Sequence, residues 1–404
     1  MKQLLYCLIC ITQIFFMSCN ESVLNTNEPD NKISPHSQVI KTMDEAISIA
    51  IDAAERLYPT KSRGASRSAL KTNVKSITNP FSRAGQNDTL LYVVNFDNEK
   101  GYAIIPATYI DKKVLAVIEK GSYDPEKGSN NPGLNYFMDA AINYTANAPV
   151  NPLGYGDIII VKPGDLHPAF DLRYDTITHL QIKPRLDGVE WGQTGIYSVY
   201  CPEVAPKKRY TGCIPTAIAS IVTYVNKITK HNSSFTFTFP ENTFGTQRIN
   251  WDELFLHKRQ FAVYNRPDGT KAEQNQLCLE SFSYNTHNLI AALMRQIGYD
   301  GDADYKETST SVNSSKCKPL LGKYLPDHNI TNFKDFDFES AKTSLLRCIL
   351  LMAGGNHAWV ADGYNQLDYR KYYAEWDFTK KEWNVLENRI YYEHFIHFCW
   401  GWTV

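Results

Sequence analysis

The chain has 404 residues, 43% of them hydrophobic and 13% aromatic, enough to bury a sizeable core spread over two or three domains. With 42 basic against 43 acidic residues the formal net charge is -1, so the electrostatic footprint of a nucleic-acid binder is missing and that class is set aside.

Met1-Lys2 leads into a mostly apolar run from Leu4 to Met17, interrupted by Thr12 and Gln13 and closed by Ser18-Cys19. The run is too short to span a bilayer in ordinary fashion and reads as a signal peptide over residues 1–18. Phe16-Met17-Ser18-Cys19 resembles the lipobox of bacterial lipoproteins, in which the cysteine is acylated after cleavage. That resemblance makes Cys19 the expected lipid anchor and the protein an outer-membrane or cell-surface lipoprotein, held to the membrane through that anchor. Plain secretion after processing is the alternative. Residues 19–38, polar with two prolines, are expected to be a flexible tether.

Apolar residues at Val39, Met43, Ala46, Ile47, Ala50, Ile51, Ala54 and Leu57 predict an amphipathic helix. Residues 59–88 are rich in Ser, Arg, Lys, Gly and Asn and read as an exposed loop that proteases could reach. Strands are expected at Leu90–Phe96, Tyr102–Ala107 and Val114–Glu119, and a short helix at Leu134–Tyr144. Residues 39–150 thus form a small α+β domain. It holds neither His nor Cys and so offers no evident nucleophile or metal site, and the expected role is folding, inhibition or binding. Prolines at 149, 152, 163, 168 and 184 then mark residues 151–184 as a linker ahead of a second domain over 185–404.

In that second domain, apolar positions at Ile214, Ala217, Ile218, Ile221, Val222 and Val225 draw a helix stripe that begins at Thr211-Gly212-Cys213-Ile214-Pro215. Cys213 falls in the first turn, where the helix dipole and unpaired amides favour a thiolate and can also hold an oxyanion. A buried structural cysteine ahead of a core helix would show the same spacing. Upstream, Gln193 in Trp191-Gly192-Gln193 could supply a second oxyanion donor, although so short a motif also fits a surface turn.

Downstream, Ala353-Gly354-Gly355-Asn356 reads as a hairpin turn and His357 as the first residue of the returning strand, with His357, Trp359 and Ala361 on one face. A histidine there is rigid yet reachable, as a general base must be, though an ordinary hydrogen-bonded histidine would look alike. His394, His397 and Cys399 suggest a metal, but their odd spacing in a strand leaves two ligands at most on one face, so no metal and no cofactor are expected. Cysteines stand at 7, 10, 19, 201, 213, 278, 317, 348 and 399; setting aside the two in the signal and the anchor, the remaining six show no CxxC pair, so nothing demands a disulfide framework.

Taken in order, Trp-Gly-Gln, Tyr-Thr-Gly-Cys-Ile-Pro-Thr-Ala, Asn-Trp-Asp at 250–252, Gly-Asn-His-Ala-Trp-Val-Ala-Asp-Gly-Tyr at 355–364 and His-Phe-Cys-Trp-Gly-Trp at 397–402 resemble the streptopain family of secreted bacterial cysteine peptidases. The resemblance implies an α+β, papain-like domain with a helical half opening on Cys213 and an antiparallel sheet half bearing His357. It implies Cys213 as nucleophile, His357 as base and acid, Gln193 as oxyanion donor and Trp400 as a shield for the histidine. Residues 39–150 would be an inhibitory prosegment, so the expected product is a zymogen of a cysteine endopeptidase acting on proteins or peptides, with its own prosegment as intramolecular inhibitor. The family has Asn where this chain has Cys399, a poor acceptor for orienting an imidazole, and continues past the Trp-Gly-Trp block, whereas this sequence stops at Val404. Those departures keep open a catalytically impaired member that binds peptides or partners.

Overall fold

The structure is a computed structural model that describes residues 6–7, 9–11, 40–57, 72–78, 89–110, 113–129, 131–149, 170–187, 189, 191–204, 210–231, 234–239, 245–256, 260–265, 271–276, 284–377, 379–380 and 382–401. Cys19 and the tether 19–38 lie outside them. The chain divides into two compact units, one of Met1–Phe15, Asp175–Arg370 and Ile390–Thr403, the other of Phe16–Tyr174, Lys371–Arg389 and Val404. No helix among the described residues is long and apolar enough to cross a membrane.

The unit that contains most of the N-terminal half is a helix-on-sheet layer. Helix α1, Met43–Leu57, begins with a capping box in which the Thr42 amide donates to Glu45 at 2.6 Å and the Glu45 amide donates to the Thr42 hydroxyl at 3.2 Å. Its alanines 46, 50 and 54 fall every four residues and let the helix settle closely on Tyr92, Val94, Phe96, Ala103 and Ile105. The sheet is an antiparallel meander of Thr72–Thr78, Thr89–Phe96, Tyr102–Pro106 and Ala116–Ile118. Helix α2, Pro132–Asn147, is capped by the Asn131 side chain with proline in its first turn and buries Phe137, Met138 and Ala141.

A lysine is buried in this unit. Lys41, 1% exposed, donates through Nζ to the carbonyls of Pro106 at 2.8 Å and Thr108 at 2.5 Å, with the ring of Tyr109 4.7 Å away. Burial pulls its pKa down to about 7; Glu45 opposes that shift and Lys113 adds to it.

Two expectations fail here. Residues 59–88 are not loop throughout, because Thr72–Thr78 pairs along its length with Thr89–Phe96. An edge strand can be this polar, since the ladder is main chain and only one face needs apolar cover. Likewise 151–184 is not all linker, since Phe170–Ile182 is a strand paired with His357–Asp377. Its alternation, with Phe170, Leu172, Tyr174, Leu180 and Ile182 all at even positions, was masked by the prolines at 168 and 184 that merely bound it.

The other unit joins helices to an antiparallel sheet around one core. Helix α3, Cys213–Thr229, is buried along most of its length. It is surrounded by α4 (Trp251–Leu256), α5 (Tyr284–Asp300) and α6 (Cys317–Tyr324), with α7 (Phe338–Leu345) beside the sheet. The sheet pairs Leu350–Gly354 with His357–Asp377, which pairs in turn with Glu382–Cys399. Ile9–Ile11 runs parallel to Leu351–Ala353 on the outer edge, and Tyr6–Cys7 parallel to Asn329–Ile330. The Asn-Trp-Asp block serves this packing. Asn250 caps α4 by accepting from the Glu253 amide at 3.3 Å, and Trp251 meets Phe235 edge-on at 5.6 Å.

Candidate active site

The cysteine helix owes its abrupt start to Gly212, which stands at φ 92 and ψ 152 in a region that L side chains rarely adopt. A Cβ there would also sit 3.0 Å from the Thr310 carbonyl oxygen, main chain that cannot swing aside. Cys213 is therefore delivered as the first helical residue, partly accessible and not in a disulfide. Behind it the Thr216 hydroxyl donates to the Gly212 carbonyl and meets the Thr211 hydroxyl, each at 2.8 Å. The Thr211 amide donates to the Gln193 carbonyl at 2.9 Å, which ties the Trp-Gly-Gln segment to the cysteine loop.

The hairpin delivers the histidine. Gly355 and Asn356 both have positive φ, the geometry of a two-residue turn, and Gly354 pairs directly with His357. Chain order separates Cys213 from His357, yet the fold brings their segments together: the Cys213 sulfur accepts a hydrogen bond from the amide of Ala358, the residue next to His357.

His357 is buried in aromatic company, its ring stacked 6.0 Å from Trp359 and 6.4 Å from Trp400. Trp359 and Trp400 lie 5.0 Å apart, and Phe398 closes the cluster at 5.4 Å from Trp400. The His357 Nε2 is 3.1 Å from the Trp400 carbonyl oxygen. A carbonyl only accepts, so the neutral ring carries its proton on Nε2 and keeps the Nδ1 lone pair for use as a base. The acceptor that Cys399 was not expected to provide is thus main chain, one residue later. Cys399 itself points elsewhere, its thiol donating to the Val189 carbonyl at 3.7 Å.

Gln193 is buried, and its side-chain amide donates to the Gly401 carbonyl at 3.4 Å. An amide nitrogen has two hydrogens, so this bond leaves one donor of the group available. Cys213, His357, Gln193 and Trp400 all fall in one unit of the chain.

Electrostatics correct one expectation. The helix terminus was expected to favour the thiolate, but burial pushes the Cys213 thiol above its ordinary range, more than the amides of Ala358, Ile214 and Cys213 pull it down. Burial likewise lowers His357, and the Trp400 carbonyl only partly restores it. Burial thus opposes the charged form of each group.

The two histidines of the C-terminal block take separate partners. His397 Nδ1 lies 2.6 Å from Asp362 Oδ1, and His394 Nε2 lies 2.9 Å from Asp368 Oδ1. The Leu186 amide donates to the other oxygen of Asp362 at 2.7 Å, locking the carboxylate in place. Among the described residues no group of three His, Cys, Asp or Glu could hold a metal ion. Sequence reasoning missed the Asp362–His397 pair, the Phe398 member of the aromatic cluster and the Gly401 carbonyl that accepts from Gln193. Only the even spacing of Trp359 and Ala361 from His357, against Asp362 at an odd offset, hinted that the carboxylate faces away from the base.

A model described as the peptidase C10 family matches residues 191–403, more than half of the chain. The chain is 22% identical over 313 residues to streptopain of Streptococcus pyogenes, covering 71% of this chain and 70% of that protein. A prointerpain A fragment of Prevotella intermedia is similar with a TM-score of 0.43 and 14% identity, covering 82% of this chain and 89% of that one. The active interpain A cysteine protease of the same species gives a TM-score of 0.24 and 15% identity, covering 46% of this chain and 80% of that one.

Proposed function

The chain belongs to the peptidase C10 family, and on that premise we propose that its α+β fold is papain-like and that it is a cysteine endopeptidase made as an exported zymogen. The observation that supports this reading is the hydrogen bond from the Ala358 amide to the Cys213 sulfur, which brings the thiol to the strand residue that follows His357.

In the proposed reaction His357 Nδ1 takes the thiol proton as the Cys213 sulfur bonds to a peptide carbonyl carbon. The negative charge that collects on the carbonyl oxygen is held by the Gln193 side-chain amide and the Cys213 main-chain amide, each donor supporting about 3 kcal/mol of transition-state stabilisation. His357 returns the proton to the departing amine as the C–N bond breaks. Water, deprotonated by the same histidine, then attacks the thioester, releasing the new carboxyl terminus and restoring the thiol.

Export by residues 1–18, anchoring through Cys19, inhibition by residues 39–150 and activation by cleavage within 151–184 belong to the same reading. The second reading, an impaired member that binds peptides, is kept open by Cys399, which stands where the family has Asn. Incubating the full chain and its Cys213→Ala form with casein separates the two. Cleavage and epoxide labelling of the unaltered chain that vanish in Cys213→Ala support the peptidase; cleavage that survives the substitution, or no labelling at all, rejects it.

A further inference from the structure

We infer that Gly401 is a positioning residue whose left-handed turn aims two successive main-chain carbonyls, that of Trp400 at the base His357 and its own at the oxyanion donor Gln193. This rests on the peptidase reading and adds a device to it. The Trp400 oxygen is 3.1 Å from His357 Nε2, and the Gly401 oxygen is 3.4 Å from Gln193 Nε2. Consecutive carbonyls in an extended strand point to opposite sides, so serving two inward-facing side chains requires the chain to turn between them. The turn is visible in φ +63 at Gly401, the left-handed region in which a Cβ is disfavoured.

The glycine is also required by space. A Cβ at 401 would stand 3.2 Å from the Cγ2 methyl of Thr216, tighter than ordinary van der Waals contact. Thr216 lies three residues along the helix from Cys213, and its hydroxyl is bonded to the Gly212 carbonyl at 2.8 Å. One small residue therefore sets nucleophile helix, base and oxyanion donor in register. It stands in for a side-chain acceptor at 399, since the Cys399 thiol is directed at the Val189 carbonyl.

Two experiments test this. The first is ¹⁵N-histidine NMR of the full chain carrying Cys213→Ala, with His357→Gln for assignment. An Nε2-protonated ring at 357 is the expected signature, and an Nδ1-protonated ring overturns the inference. This readout does not depend on catalysis, so it stands even if the peptidase reading fails. The second is kinetics per titrated active site on the processed enzyme. Gly401→Ala should lower kcat about tenfold or more with little change in KM, and should move the acid limb of kcat/KM to lower pH, because His357 loses an acceptor that favours its charged form. Gly401→Asn combined with Thr216→Ser, which tolerates the left-handed turn and removes the obstructing methyl, should recover much of that loss. A kcat for Gly401→Ala within about twofold of the unaltered enzyme, or a loss with no movement of the acid limb, overturns the assignment. Absence of any cleavage by the unaltered enzyme would count against the peptidase reading and leave the NMR result to decide this one.

Discussion

Lys41 offers a quantitative test of how the N-terminal α+β unit is held together. Its ammonium is buried against two carbonyls and the Tyr109 ring, and its pKa falls from 10.5 to about 7. Between those two values the unfolded chain binds a proton that the folded unit does not, so stability rises with pH across that window. Below about pH 7 both states are charged, and the cost of burying the charge is present in full. Raising the pH from about 7 to about 9 should therefore add about 2 kcal/mol to the opening free energy of this unit through Lys41 alone. Lys41→Met keeps the volume of the stem and removes the titration. The measurement is native-state hydrogen exchange in α1 and in the Tyr102–Pro106 strand, which reports on this unit separately from the other. The unaltered chain should gain protection with pH once intrinsic exchange is corrected for, and Lys41→Met should stay flat. Parallel pH slopes in the two proteins would refute the reasoning. If residues 39–150 act as the proposed inhibitor, acidification from alkaline pH would loosen it.

Asp362→Leu should cost about 2–4 kcal/mol in urea unfolding, because the Leu186 amide loses its acceptor and His397 loses a carboxylate at 2.6 Å. Asp362→Asn, which keeps one acceptor, should cost about 1 kcal/mol. Gly363→Ala would place a Cβ 3.0 Å from His397 Cβ, 3.1 Å from the Ile182 carbonyl oxygen and 3.2 Å from the Pro184 nitrogen, so a loss of about 1–3 kcal/mol should appear as a lower Tm. Because burial raises the Cys213 thiol, iodoacetamide labelling of the resting chain should climb in the alkaline range, above the ordinary midpoint of 9.0. A rate that is flat between about pH 5 and about pH 8 would instead reveal a preformed ion pair.

The elements legible in the sequence were those whose pattern is enforced by burial. The α3 stripe was readable because most of that helix is buried, and the hairpin before His357 because Gly355 and Asn356 must accept positive φ. What stayed hidden was held by main chain. Thr72–Thr78 has too few apolar residues to announce a strand, and its support comes from the Thr89–Phe96 ladder. In the site, Cys213, His357 and Gln193 could be named from their residue types. The acceptor for His357 could not, since a carbonyl is present at every position and only the turn at Gly401 singles out the one at Trp400. The direction of the Cys213 shift was misjudged because a helix terminus is visible in one dimension, whereas desolvation depends on what the other elements bring around it.

An acceptor made of peptide backbone has an evolutionary corollary. No codon change at 400 can delete the oxygen that faces the imidazole, so on the proposed reading a thiol at 399 leaves that bond intact. The genetic fragility moves instead to the neighbouring glycine, where almost any missense change alters the path of the chain.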